Sequence, residues 1–246
     1  MLVKAIKTRP LLPPKDDLLS VIKESILSLK ENSIIVVTSK VVSIWEGRCV
    51  KISEVKSKDE LIKQEADLYL DRQGPLPEHL ILSIKNNILI PSSGIDESNA
   101  NGYYILWPEN VFASAKEIYN FIKKEYGLKD FGVIISDSHT TPLHTGIMGI
   151  GLAYHGFNPL KNYIGTKDIF GRELKMSQKN ILDSLAAAAV FTMGEGAEQT
   201  PIAVIEDAGN IEFSENVPED LMKISMDKDI YSPLLKSVKW KKRNKK

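Results

Sequence analysis

The sequence contains a single cysteine, Cys49, and only four histidines among its 246 residues. One cysteine excludes an intrachain disulfide framework, and it also excludes a metal site built from several cysteines. No apolar run approaches the roughly 18 residues that a transmembrane helix needs, and the first 14 residues lack the apolar centre of a signal peptide. The sequence therefore predicts a cytoplasmic protein without a membrane partner.

Neither sign of charge dominates, because 32 Lys and Arg balance 32 Asp and Glu. Such a chain has no general attraction for nucleic acid, so we expect no nucleic-acid partner. The local exception is the basic tail 239–246, KWKKRNKK, which is typical of a solvated, frayed terminus and less so of a phosphate-binding patch. Residues 1–238 are predicted to form one domain, which can divide into two sub-lobes.

The most informative stretch is residues 132–156, GVIISDSHTTPLHTGIMGIGLAYHG. Residues 131–135 predict a short buried strand that ends at Ser136 to His139. An aspartate flanked by hydroxyls at the end of a strand is a common position for holding a hard cation or a phosphate. The glycines that follow let the backbone approach another segment or a ligand closely. The alternative is a loop in which Asp137 caps its own turn.

Apolar periodicity predicts helices and strands without strict alternation, which favours an α+β fold over a doubly wound parallel sheet. The predicted strands are 4–14 (an edge strand leading into a proline-rich turn), 34–37, 88–90, 103–106, 131–135 and 202–205. The predicted helices run from Asp16 or Asp17 to Glu31, over 58–72 with a stop at Gly74, Pro75 and Pro77, over 111–126 with Gly127 as C-cap, and from Ser177 to Met193.

Three polar, glycine-bearing segments lie at the ends of predicted elements, around Asp96, Asp137 and Glu195. If these carboxylates converge, two of them about 4 Å apart repel by about 4 kcal/mol at an effective dielectric near 20, so they need a cation or a shared proton. Oxygen ligands in a chain with few cysteines and histidines suit Mg²⁺ or Mn²⁺ rather than zinc. The segment 38–48 is either a polar strand end or a loop that supplies Ser39 and Lys40 to a phosphate.

These segments resemble the coenzyme F420-0:γ-glutamyl ligase family. The matching motifs, in the family's order and at its approximate spacing, are TSKVVSIWEGR, GIDESN, VIISDS, IGTKDIFGREL, SLAAAAVFTMGEG and TPIAVIED. The resemblance implies an α+β fold with a mixed sheet that forms an intertwined homodimer. It also implies a ligase that uses GTP, L-glutamate and two divalent cations, Mg²⁺ or Mn²⁺, with a monovalent cation as a further candidate. In that family GTP phosphorylates a terminal carboxylate, and the amine of glutamate displaces phosphate to leave an amide.

The resemblance also assigns residues to the two kinds of ligand. Asp96 and Asp137 match the ligands of one cation, and Ser138 and Glu195 match those of the second. The residues that match nucleotide contacts are Ser39, Lys40, Asn99, Met193, Gly194, Glu195, Gly196, Ala197, Glu198, Gln199 and Thr200.

The sequence departs from the family at three places. Ile44 stands where the family commonly has a lysine, the loop 11–15 is slightly short, and the segment after Ser138 carries no arginine. His139 and His144 then become the candidates for contacts to the acceptor, and loss of arginine fits an acceptor without a phosphodiester, such as a folate. Three functions stay open: an F420-0 ligase, a folate γ-glutamate ligase with the same chemistry, and a non-catalytic homologue that binds metal or nucleotide.

Overall fold

The computed structural model describes residues 1–71 and 80–243. Its strands are β1 (Leu2–Ile6), β2 (Ile34–Thr38), β3 (Cys49–Lys51), β4 (Leu68–Tyr69), β5 (Leu82–Lys85), β6 (Ile88–Pro91), β7 (Tyr103–Ile105), β8 (Gly132–His139), β9 (Met148–His155), β10 (Leu160–Asn162), β11 (Gln178–Asn180), β12 (Ile202–Glu206) and β13 (Lys241–Lys242). Its α-helices are α1 (Leu18–Ser25), α2 (Ser39–Glu46), α3 (Lys58–Glu65), α4 (Val111–Tyr126), α5 (Ile181–Met193) and α6 (Ser232–Leu235).

A five-stranded sheet in the order β1-β12-β2-β8-β9 forms the centre of the fold. β2 runs parallel to β8, whereas the other neighbouring pairs in this sheet are antiparallel. The prediction of an α+β fold with a mixed sheet is therefore confirmed, and β1 lies at the sheet edge as predicted.

Helices cover both faces of the central sheet. Successive side chains of β2 point to opposite faces, so Ile35 and Val37 pack with α1 and α4, whereas Ile34 and Val36 pack with α5. All four side chains are fully buried. This burial on both sides explains why β2 is a continuous apolar run without polar alternation.

Glycines in β9 allow α5 to lie unusually close to the sheet. A Cβ atom on Gly149 would lie 2.4 Å from the carbonyl oxygen of Ala186, and one on Gly151 would lie 2.3 Å from Cγ of Leu182. The predicted close backbone approach is confirmed, and for these two glycines the neighbour is a helix rather than a ligand.

A second group of elements packs around its own small core. It comprises α3, the sheet β13-β4-β5-β6 and the pair β3-β7. Its buried apolar residues are Leu61, Ile62, Ile81, Ile95, Tyr104 and Leu106. The predicted domain boundary at residue 238 stays a prediction.

Two predicted helices are too long at their C-terminal ends. α1 ends at Ser25 rather than Glu31, because Ile26 is already extended. α3 ends at Glu65, because the chain turns into β4, which pairs with β5. The predicted stop at Gly74, Pro75 and Pro77 lies outside the described residues.

The predicted start of the last long helix is also wrong. Asn180, not Ser177, caps α5, since residues 178–180 pair with β10 before the helix begins. The helix 111–126 has the predicted bounds, and Gly127 ends it in the left-handed conformation at φ +69°.

The start of the basic tail is ordered, which corrects the interpretation of a frayed terminus. Lys241 and Lys242 pair with Tyr69 and Leu68, while residues 244–246 lie outside the described part of the chain. In the described ranges no helix is both long and apolar enough to cross a membrane.

Candidate active site

A cavity of about 450 Å³ lies at the C-terminal ends of the parallel strands β2 and β8. It brings together all residues assigned by resemblance to a nucleotide or a cation, although they come from four separate segments. Those residues are Ser39, Lys40, Asp96, Asn99, Asp137, Ser138, Met193, Gly194, Glu195, Gly196, Ala197, Glu198, Gln199 and Thr200.

The segment after β2 is a helix, so both interpretations of it as a strand end or loop are wrong. Val41, Val42 and Ile44 of α2 are buried, and so are Ser39 and Ser43, so neighbouring elements enclose most of this helix. Gly47 ends the helix in the left-handed conformation at φ +77°. Ser39 and Lys40 consequently lie in the first helical turn, beside the cavity.

Lys40 reaches across the cavity to Asp96. Its Nζ lies 2.6 Å from Oδ2 of Asp96 and 3.0 Å from the carbonyl oxygen of Ser98. Oδ1 of Asp96 accepts hydrogen bonds from the amide and the hydroxyl of Ser98, both at 2.8 Å. Burial alone would raise the pKa of Asp96, but Lys40 and Ser98 outweigh it and lower the pKa. Asp96 is therefore ionised at neutral pH.

Asp137 lies within β8, which continues to His139 instead of ending at Ile135 as predicted. The strand continues because Ser136 to His139 pair with β9, after a bulge between Ile135 and Ser136. Oδ1 of Asp137 accepts a hydrogen bond from the Ser138 amide at 2.8 Å, and Oδ2 accepts one from the indole Nε1 of Trp107. Burial, with a contribution from the charge of Asp96, raises the pKa of Asp137 to about 6.

Ser138 and Glu195, which the resemblance assigns to the second cation, both line the cavity. Their side chains interact, and this interaction opposes the rise in the pKa of Glu195. Burial is the largest cause of that rise, and Asp96 and Glu198 add to it. Two carboxyl groups of this cavity, the half-buried Asp137 and the more exposed Glu195, thus have pKa values above the ordinary ones. This is expected where acidic groups lie near one another, partly removed from water and without enough positive charge.

The loop 193–201 is held by contacts on both sides of the cavity. Gly194 has φ +80° and ψ 173°, a conformation open mainly to glycine. Asn99 Nδ2 donates to the carbonyl oxygen of Gly196 at 2.8 Å, and the amide of Thr8 donates to the carbonyl oxygen of Gln199 at 3.0 Å. The loop therefore does more than end α5, because it joins both walls of the cavity.

The amide of Gly196 is already engaged within the loop. It donates to Oε2 of Glu198 at 2.7 Å. A phosphate at this point would have to displace the Glu198 carboxylate.

The oxygen ligands fit divalent cations that are shared with a phosphorylated ligand. Within residues 1–71 and 80–243, no three His, Cys, Asp or Glu side chains gather into one metal cluster. Mg²⁺ in nucleotide sites is usually held by one or two carboxylates, with phosphates and water completing its shell. The pairs Asp96 with Asp137 and Ser138 with Glu195 match this pattern.

The two histidines predicted to contact an acceptor are not among the residues that line the cavity. His139 is half-buried at the end of β8, and burial lowers its pKa, although Asp183 opposes the shift. His144 is exposed in the turn between β8 and β9. Their role in binding an acceptor stays a prediction.

The sequence analysis missed part of the cavity wall. The segment from Thr8 to Leu11 and the side chain of Ile44 line it. Arg9 in that segment pairs with both carboxylate oxygens of Asp16, at 2.8 and 2.9 Å. No motif marked this segment, because the local sequence reads only as a strand end followed by prolines.

Comparison with known proteins identifies the family. The model of the F420-0:gamma-glutamyl ligase family matches residues 6–207. The coenzyme F420:L-glutamate ligase of Methanopyrus kandleri is 33% identical over 78% of this chain and 81% of its own length. The ligase of the same name from Methanosarcina mazei is 31% identical over 82% of this chain and 84% of its own length.

The relative from Methanocaldococcus jannaschii has the same name and is 33% identical over 79% of this chain and 83% of its own length. The family match runs from the last residue of β1 to just beyond β12, and it therefore includes every segment that lines the cavity. The chain belongs to the F420-0:γ-glutamyl ligase family and is a ligase that forms an amide bond.

Proposed function

We propose that this protein joins L-glutamate to the terminal carboxylate of coenzyme F420-0, using GTP and two divalent cations, Mg²⁺ or Mn²⁺. The observation that supports this most strongly is the convergence of Asp96, Asp137, Ser138 and Glu195 with Lys40 around one cavity of about 450 Å³. The description of the matching family, F420-0:gamma-glutamyl ligase, suggests the acceptor.

The proposed reaction has two steps. An oxygen of the acceptor carboxylate attacks the γ-phosphorus of GTP, which forms an acyl phosphate and releases GDP. The amine of glutamate then attacks the acyl carbon and expels phosphate, and the amine loses a proton as the amide forms. Both the attacking carboxylate and the triphosphate are anionic, so the first step requires positive charge in the cavity.

Different side chains of the cavity would supply or hold the positive charge that the first step requires. Asp96 and Asp137 would hold one cation and Ser138 and Glu195 the other, and the cations would neutralise phosphate oxygens. The ammonium group of Lys40 lies 2.6 Å from the Asp96 carboxylate and balances its negative charge. A cation on Asp96 would compete with this ion pair, and Lys40 could then contact a phosphate. Asn99 and the loop 193–200 would hold the nucleotide.

An assay of GTP hydrolysis tests the proposal. We expect release of phosphate only when divalent cation, L-glutamate and F420-0 are all present, and loss of this release in Lys40→Met. Hydrolysis that is independent of glutamate and acceptor would contradict the ligase reaction. No nucleotide binding at all would favour the non-catalytic alternative.

A folate is the second candidate for the acceptor. The segment 139–146 contains no arginine, and the two basic side chains among the described lining residues, Arg9 and Lys40, are both paired with aspartates. The cavity therefore offers little free positive charge for the phosphodiester of F420-0. Dihydrofolate as a competing acceptor in the same assay distinguishes the two, because glutamylation of dihydrofolate alone would favour the folate.

We further propose that the protein is a homodimer. The arm between β10 and β11 exposes large apolar side chains: Ile169 is 91% exposed, Phe170 is 89% exposed and Met176 is 85% exposed. Phe191 on α5 is 90% exposed. Apolar side chains clustered on an extended arm are typical of a surface covered by a partner, and a second copy is the partner that the family resemblance implies. Light scattering after gel filtration measures the mass directly.

A further inference from the structure

Trp107 lies between Asp137 in the cavity and a cluster of charged side chains that includes Arg48 and Lys85. The side chain is 1% exposed, although it carries a polar indole N–H. That N–H donates to Oδ2 of Asp137. The other carboxylate oxygen of Asp137 accepts from the Ser138 amide, so hydrogen bonds fix both ends of this carboxylate.

Gly94 makes room for the indole ring. Gly94 has φ +70°, and a Cβ atom there would lie 2.1 Å from Nε1 of Trp107. Any side chain at this position would displace the ring from Asp137. Gly94 is therefore needed to leave space for the Trp107 ring, a role that the sequence around it did not reveal.

Two charged side chains, Arg48 and Lys85, contact Trp107, and a third, Glu65, joins them. Arg48 Nε donates to the carbonyl oxygen of Trp107 at 3.2 Å, and the Lys85 ammonium lies 5.9 Å from the centre of its ring. Glu65 accepts from Arg48 at 2.7 Å and from Lys85 at 2.6 Å. Because Lys85 and Glu65 are largely buried, this cluster is shielded from water and salt and resists movement.

We infer that Trp107 is a positioning residue, which orients the Asp137 carboxylate for a divalent cation through its indole N–H. The inference rests on the proposed function for the identity of the ligand. It goes beyond that function by assigning a role to a residue that contacts neither nucleotide nor cation. Partners that orient a metal ligand in this way typically change metal affinity about 10- to 100-fold when they are removed.

The first test needs no metal. The three tryptophans of the chain give three indole N–H signals in an NMR spectrum of ¹⁵N-labelled protein, and loss of one signal in Trp107→Phe assigns it. We expect Asp137→Asn to shift the Trp107 signal and to leave the other two unchanged. If Asp137→Asn shifts none of the three indole signals, the inference is overturned, and this result does not require that Trp107→Phe folds.

The second test is Mg²⁺ affinity measured by calorimetry. We expect Trp107→Phe to weaken binding about 10- to 100-fold. Trp240→Phe is the matched control, because it also removes an indole donor, which bonds the carbonyl oxygen of Leu235 at 2.6 Å, but away from the cavity. Equal Mg²⁺ affinity in the two variants would overturn the inference about Trp107 and leave the proposed function standing. Wild-type protein that binds no Mg²⁺ either alone or with GTP present would instead overturn the proposed function and the inference with it.

Discussion

Asp137→Asn is expected to remove a pH-dependent destabilisation of the metal-free protein, although it also removes a proposed cation ligand and one hydrogen-bond acceptor. Burial raises the pKa of Asp137 from its ordinary value of 3.8 to about 6. Between these values the folded state binds the proton more tightly than the unfolded state, so the free energy of unfolding falls as the pH rises. Since each unit of pKa corresponds to about 1.4 kcal/mol, the total loss is at most about 3 kcal/mol. Asparagine does not titrate, so the variant does not undergo this loss of unfolding free energy as the pH rises.

Urea unfolding with a chelator present measures this effect. About 2 kcal/mol of the loss falls between roughly pH 4.5 and 7.5. The stability of Asp137→Asn relative to wild type should therefore improve by about 2 kcal/mol over this range. A difference between the two proteins that does not change with pH would refute the reasoning, since it would mean that Asp137 is not buried as an unpaired charge.

Asp96→Asn is the matched control, with the opposite sign. The pKa of Asp96 is lowered, because Lys40 and Ser98 outweigh the effect of burial. Its ionised form therefore stabilises the folded state above the ordinary pKa, and this contribution is lost as the pH falls. Asp96→Asn should destabilise the metal-free protein at neutral pH and less so in acid. Added Mg²⁺ should stabilise wild type more than either variant.

Three further predictions concern the site, the packing and the assembly. Glu195→Gln should weaken GTP binding in the presence of Mg²⁺ and scarcely change it in a chelator; equal loss in both conditions would indicate a packing role. Gly149→Ala should lower the free energy of unfolding by about 1–3 kcal/mol in urea titrations, because the added Cβ would lie 2.4 Å from the carbonyl oxygen of Ala186. Phe170→Asp should shift a dimer towards monomer in light scattering, while Lys167→Asp on the same arm should not.

The sequence predicted the elements whose signals are local. The helix 111–126 has apolar residues at helical spacing, Asn110 as N-cap and Gly127 as C-cap, so no long-range contact was needed to find its bounds. The buried strands 34–38 and 202–206 are likewise short β-branched runs. The polar segments at Asp96, Asp137 and Glu195 were found from residue types together with the family resemblance.

Elements that depend on distant partners were missed. β8 continues beyond Ile135 only because β9 pairs with it, and the glycines of β9 argued locally against a strand. The role of Trp107 could not be predicted for the same reason. Its partners Arg48, Lys85 and Asp137 come from three distant parts of the chain.

The most direct test of the proposed function is mass analysis of the product. Purified protein is incubated with GTP, Mg²⁺ or Mn²⁺, L-glutamate and F420-0, and the Asp96→Asn, Asp137→Asn double variant serves as the control. We predict that wild-type protein increases the mass of F420-0 by one or more glutamyl residues and releases one GDP and one phosphate for each, whereas the control produces neither. Unchanged F420-0 with wild-type protein, or equal product with the double variant, would contradict the account.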